Sequence, residues 1–170
     1  MEAIEGVSEK SGARIWDRHA SPISILVLGA ILLAAGLGLT GGQPSPPRTA
    51  QFGEAQLTIK TPVTIRNGEF FETDITVVAT APLGDVTIAV SPSLWRDMTI
   101  NTMIPAPSEE KFEKGHFRFA YGPLNAGERL RVKIDGQINP PLFAGTSGEI
   151  GLFDGDRRIG SMPLQIRVLP

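Results

Sequence analysis

Residues 22–39 read Pro-Ile-Ser-Ile-Leu-Val-Leu-Gly-Ala-Ile-Leu-Leu-Ala-Ala-Gly-Leu-Gly-Leu, and no Asp, Glu, Lys or Arg occurs between Arg18 and Arg48. About twenty such residues, at 1.5 Å each, cover the roughly 30 Å hydrocarbon layer of a bilayer, and a helix bonds every backbone amide within itself. The sequence therefore predicts one transmembrane helix over 21–42, with Pro22 in its first turn and Gly41 and Gly42 as its stop. Lys10, Arg14 and Arg18 precede the run and only Arg48 lies close behind it, which places residues 1–20 in the cytoplasm as a short tail and the C-terminal part outside. Trp16 stands where an indole favours the headgroup layer. The competing reading is a cleaved signal peptide, since Ala34-Ala35-Gly36 offers small residues to a peptidase; the long leader, its four acidic residues and the length of the apolar run favour a retained signal-anchor. Both readings export the C-terminal part. Ala30, Ala34 and Gly38 recur at every fourth position and form a candidate helix-packing face, although small residues are common in any span.

Residues 43–53 are rich in Pro and Gly and read as a linker, so the folded part is residues 54–170, long enough for a core without disulfides or metals. The chain has no Cys, which removes a disulfide framework, a Cys-based zinc site, a thiol nucleophile and a lipid-modified cysteine. Net charge is −2 with both signs interspersed, so no electrostatic footprint for nucleic acid exists.

The folded part alternates with period two. Leu57 with Ile59 and Val63 with Ile65 precede the turn Arg66-Asn67-Gly68-Glu69, and Phe71, Thr73, Ile75, Val77 and Ala79 face inward opposite Glu72, Asp74 and Thr76. Further strands are read at Val86–Val90, at 98–104 before Pro105 and Pro107, at Phe117, Phe119 and Tyr121 alternating with His116, Arg118 and Ala120, and at Leu130, Val132 and Ile134. Ile150 and Leu152, the turn Asp154-Gly155-Asp156, Ile159, and finally Leu164, Ile166 and Val168 complete the series. About seven to nine short strands with no helical period after Leu39 predict an all-β class: an immunoglobulin-like antiparallel β-sandwich behind a single transmembrane helix.

Arg66-Asn67-Gly68-Glu69 leading into a long strand, and Leu124-Asn125-Ala126-Gly127-Glu128 leading into Leu130–Ile134, resemble the immunoglobulin-like modules of bacterial envelope proteins, the cell-adhesion-related domains among them. The chain as a whole resembles small bacterial inner-membrane proteins with a short tail, one span and one such periplasmic domain. That resemblance implies the bacterial cytoplasmic membrane as location and carries over no functional residue.

Chemistry-bearing constellations are sparse. Only His19 and His116 are present, on opposite sides of the expected membrane, and no Gly-x-Ser-x-Gly elbow accompanies His116, which reads as a satisfied sandwich histidine. Asp154-Gly155-Asp156 has carboxylates for a calcium loop but lacks the further ligands, and a hairpin turn accounts for it. Glu109, Glu110, Lys111, Glu113 and Lys114 read as a solvated loop. No catalytic, cofactor or metal residue is assigned and no cofactor is expected.

Two segments carry a candidate binding surface. Ser93 to Pro107 places Trp95, Arg96, Met98, Asn101 and Met103 in a stretch poorly matched to plain alternation, and such residue types are enriched at binding hot spots. Asp135 to Phe143 places Gln137 and Asn139 before Pro140-Pro141 and Phe143. The alternative is structural: Trp95 caps the sandwich, Leu142 and Phe143 fill its rim, and the prolines blunt an edge strand. The expected function is a noncatalytic interaction or accessory module that binds another envelope or multi-pass membrane protein. The alternative is an envelope carbohydrate-binding domain or hydrolase with carboxylates supplied by loops.

Overall fold

The computed structural model describes residues 15–39, 45–140 and 142–170. Helix α1 (Ile15–Gly36) and the β domain are separate compact units. The helix begins before the expected boundary, so Pro22 lies inside it rather than in the first turn, and its ring removes one internal hydrogen bond there. Its end also differs from expectation. Gly38 takes φ +73°, its N–H donates to Ala35 O and the Leu39 N–H to Ala34 O, the paired bonds of a Schellman cap. Gly38 therefore terminates the helix and does not share a packing face with Ala30 and Ala34, while Gly41 and Gly42 lie outside the described residues. Between Pro22 and Gly36, the side chains of Ile25, Leu26, Leu28, Leu32 and Leu33 are all more than half exposed. Among the described residues no helix is long and apolar enough to cross a membrane. The expected span over 21–42 is thus unsupported: α1 starts and ends before those bounds, and residues 40–42 lie outside the described residues.

Two sheets form the domain. The first has the strand order β1-β2-β4-β9-β6, built from β1 (Pro47–Phe52), β2 (Ala55–Lys60), β4 (Phe70–Ala79), β9 (Arg129–Ile138) and β6 (Met98–Ile104). The second has the order β3-β11-β10-β5-β8-β7, from β3 (Thr64–Arg66), β11 (Arg157–Leu169), β10 (Thr146–Asp154), β5 (Val86–Val90), β8 (His116–Ala120) and β7 (Glu109–Glu113). Among the described residues all strand pairings are antiparallel except β3 with β11. The all-β, two-sheet sandwich class holds, with eleven strands among the described residues where about seven to nine are expected.

The additional strands are edges. β1 lies within the expected linker 43–53: Gly53, at φ +54°, turns the chain so that 47–52 pair with 55–60, and Pro47 stands at the first position of an edge strand, where its missing N–H costs nothing. β7 replaces the expected charged loop at 109–113, its Glu and Lys side chains being tolerable on an edge that faces water.

The core follows the alternation. Phe71, Thr73, Ile75, Val77 and Ala79 are buried, and they meet Leu57, Ile59, Val132, Ile134, Ile150, Leu152, Leu164, Ile166 and Val168. Thr73 is no orphan there, because its hydroxyl bonds that of Thr61 at 2.7 Å. β5 departs from the pattern, with all five residues buried, since both of its faces are covered. Val63, expected beside Ile65 in the core, is half exposed; it precedes β3 rather than pairing within it.

Candidate functional site

Met98, Ile100 and Met103 are the inward residues of β6, and they are only half-buried, whereas the inward residues of β9 from Val132 to Ile138 are fully buried. β6 is the last strand of the first sheet and β7 the last of the second, and the chain passes from one to the other through a cis Ile104–Pro105 bond. Both edges consequently flank one open side of the sandwich.

An aromatic chain fills that side. The Trp95 ring stacks on Phe117 at 5.9 Å and tilts against Phe119 at 5.6 Å, and Phe112 of β7 meets Phe117 at 5.2 Å while remaining 62% exposed. Tyr121 closes the side further along: its hydroxyl approaches Met103 Sδ at 3.9 Å, and burial, with a contribution from Glu110, raises its pKa to about 12, so it is a neutral phenol at any physiological pH. Ser108 donates to Ala120 O through both its N–H and its hydroxyl, tying the start of β7 to β8.

The eight residues expected to form a binding surface are therefore divided. Trp95, Met98 and Met103 line the open side from within, and the gap beneath Trp95 is about 10 Å³, at the lower limit for one water. Asn101 is exposed at a bulge in β6, where the register to β9 shifts between Ile100 and Thr102. Gln137 and Asn139 serve the architecture: Gln137 Nε2 donates to Gly68 O at 3.2 Å, and Asn139 Oδ1 accepts from the Thr99 hydroxyl at 3.0 Å. Arg96 is exposed beside Asp97, and Phe143 is 69% exposed on the loop whose neighbour Leu142 fills the rim. Phe112 and Ile100 belong to this side and were not expected. The available signal was a lone Phe among Glu and Lys at 109–114, which a solvated loop does not explain.

The remaining polar clusters are internally satisfied or nearly so. Arg118, which alternates with Phe117 and Phe119, is 3% exposed: its guanidinium lies 4.5 Å over the Phe153 ring, donates to Gly155 O at 2.6 Å and pairs with Asp156 at 3.5 Å. Asp154 Oδ1 accepts from the N–H groups of Gly84 and Asp85, which makes the 154–156 turn an anchor for the preceding loop, and these bonds hold its carboxyl below the usual range. Glu149 takes hydrogen bonds from Ser161 and Arg158 and faces His116 at 3.5 Å; the Ser161 bond is the main cause of its lowered pKa. Ser161 thus donates to a carboxylate rather than to the imidazole, unlike a Ser–His–acid relay. Among the described residues no group of three or more His, Asp or Glu is placed to hold a metal ion.

No family model matches the chain, and no curated protein matches it. Solved structures similar to it include the chitin-binding domain of a chitinase from Pyrococcus furiosus, at 20% identity, TM-score 0.43, covering 67% of this chain and 100% of that one. A non-cellulosomal cohesin from Archaeoglobus fulgidus matches at 8% identity, TM-score 0.41, covering 63% and 86%. A FixG-related protein from Vibrio parahaemolyticus matches at 12% identity, TM-score 0.38, covering 68% and 95%.

Proposed function

We propose that this chain is a noncatalytic interaction module of a bacterial cell envelope, held by its N-terminal helix in the cytoplasmic membrane with the sandwich on the outer side. The observation that carries the interaction reading is the open side between β6 and β7, where Ile100 and Met103 are half-buried and Phe112 is exposed at the end of an aromatic chain. An apolar strip beside an unpaired strand edge takes an extended segment of another protein: main-chain groups pair along β6 and alternate side chains fill the strip. The bulge at Asn101 limits the stretch that pairs, which favours one partner over indiscriminate edge association. The membrane reading is supported by the uncharged run that continues in sequence to Leu39 and by the exposure of the apolar side chains along α1.

The test is a photoreactive amino acid placed at Asn101, at Phe112 or, as a control, at Gln56 of β2 in the full chain, irradiated in intact cells before membrane fractionation. A discrete adduct from 101 and 112, absent from 56 and recovered with the membranes, is the expected result. Adducts of equal yield from all three positions, or none from any, exclude the open side as the docking surface. Recovery of the chain in the soluble fraction excludes the anchor.

A further inference from the structure

We infer that the sandwich carries a phosphate-binding cleft, directed at the headgroups of anionic lipids, where β1 and β11 approach each other at the side opposite the aromatic strip. The cleft has a volume of about 390 Å³ and is lined by Arg48, Val63, Thr64, Gln165 and Arg167. Arg48 projects from β1 across to the other sheet, where its Nη1 donates to Pro163 O at 3.0 Å, and Arg167 stands opposite Thr64 in the β11–β3 register. Each guanidinium retains donors beyond these contacts.

The two arginines differ from most cations of the domain. Lys111, Lys114, Arg118, Arg131, Lys133, Arg157 and Arg158 all have a carboxylate within 4 Å, whereas among the described residues Arg48 and Arg167 have none. Among the described residues Lys60, next in register to Arg48, and Arg129 of β9 also lack one; Asp74, the counterpart of Lys60 on β4, is held by Arg131. In a chain of net charge −2, positive charge left uncompensated in one cleft marks a place for an anion. The planar donor forks of two arginines, with a threonine hydroxyl and a glutamine amide beside them, suit a phosphate group.

Lipid is chosen over free phosphate for two reasons. Val63 is 51% exposed at the rim of the cleft, an apolar surface that a free anion does not use. Arg48 is also the second residue of the first strand, and only ten residues, 37–46, separate that strand from α1 in chain order. This second reason rests on the membrane reading above.

The chain has no Cys, so a single Val63→Cys can be labelled with a fluorophore in the full-length protein, with Ala126→Cys, in the turn beyond the opposite ends of the strands, as control. Labelled protein is reconstituted in vesicles of phosphatidylcholine alone or with 30% phosphatidylglycerol, each with headgroup spin-labelled lipid as quencher (about a third anionic lipid gives a strong surface potential). Expected is quenching at 63 at least twofold greater in anionic than in neutral vesicles, removed by 0.5 M salt and by Arg48→Gln with Arg167→Gln, and no such difference at 126. Equal quenching in both vesicles, from protein that co-floats with both, overturns the cleft assignment and leaves the anchor intact. Failure to co-float with neutral vesicles overturns the anchor instead. A saturable response at 63 to inorganic phosphate in detergent, with no lipid dependence, overturns the lipid assignment in favour of a free anion.

Discussion

Trp95 stacks on Phe117 with ring centroids 5.9 Å apart, joining the segment after β5 to β8 at the open side of the sandwich between β6 and β7. The residue that looks most like a binding anchor in the sequence is thereby half-buried against two phenylalanines of β8.

Removing that plug opens a cavity against Phe119 and Leu94. Trp95→Ala should lower unfolding stability by about 3 kcal/mol, near the low end for such truncations because the ring is half-buried. Urea denaturation checks this, and Trp95→Phe should recover more than half of the loss. An equal loss for both variants would mean that the ring stacking contributes nothing.

Arg118 is buried mainly through its stem and its stacking on Phe153. Its Nε lacks a hydrogen bond, and Glu113 Oε2, 3.9 Å away, lacks one as well. Arg118→Ala should cost about 3 kcal/mol, whereas Arg118→Met, which keeps the volume over the ring, should cost about 1 kcal/mol. Thermal or urea unfolding of the two variants separates packing from charge.

The lowered pKa values of Glu149 and Asp154 give the domain an acid dependence. Both carboxyls are depressed in the folded state relative to ordinary values of 4.5 and 3.8, by the Ser161 hydroxyl and by the Asp85 N–H respectively. The unfolded chain therefore binds protons first as pH falls, so their contribution is complete above the ordinary carboxylate range and is lost as pH drops through the folded values. Stability measured at pH 7 and pH 5 should be nearly equal and should fall between pH 5 and pH 3. Glu149→Gln with Asp154→Asn should be less stable at pH 7 and show a shallower fall.

Gly145 lies at φ +102° before β10, and a Cβ there would run into the carbonyl oxygen of Ile166 on β11. Gly145→Ala should destabilise by about 3 kcal/mol or more. Gly127, at φ +86° with open space around it, should tolerate alanine at a cost of about 1 kcal/mol. Comparing the two melts distinguishes collision from backbone strain.

The alternation of Phe71, Thr73, Ile75, Val77 and Ala79 sufficed to identify β4 and its buried face, because period two is a property of the extended chain wherever it pairs. Turns at Asn67-Gly68 and Asp154-Gly155 were legible for the same local reason: few residues adopt positive φ. Composition likewise excluded thiol chemistry and a nucleic-acid footprint without reference to any contact. Edges were not legible in this way. Whether 47–52 is a spacer or β1, whether 109–113 is a loop or β7, and whether Arg118 meets water or Phe153 depend on which strands lie alongside, and those neighbours are set by the pairing of the whole domain rather than by local sequence. The arginine cleft arises only when the two sheets pack, since Arg48 of β1 and Arg167 of β11 come from strands that the chain order keeps apart, and the open side, though flanked by the consecutive β6 and β7, depends on the two strands ending different sheets.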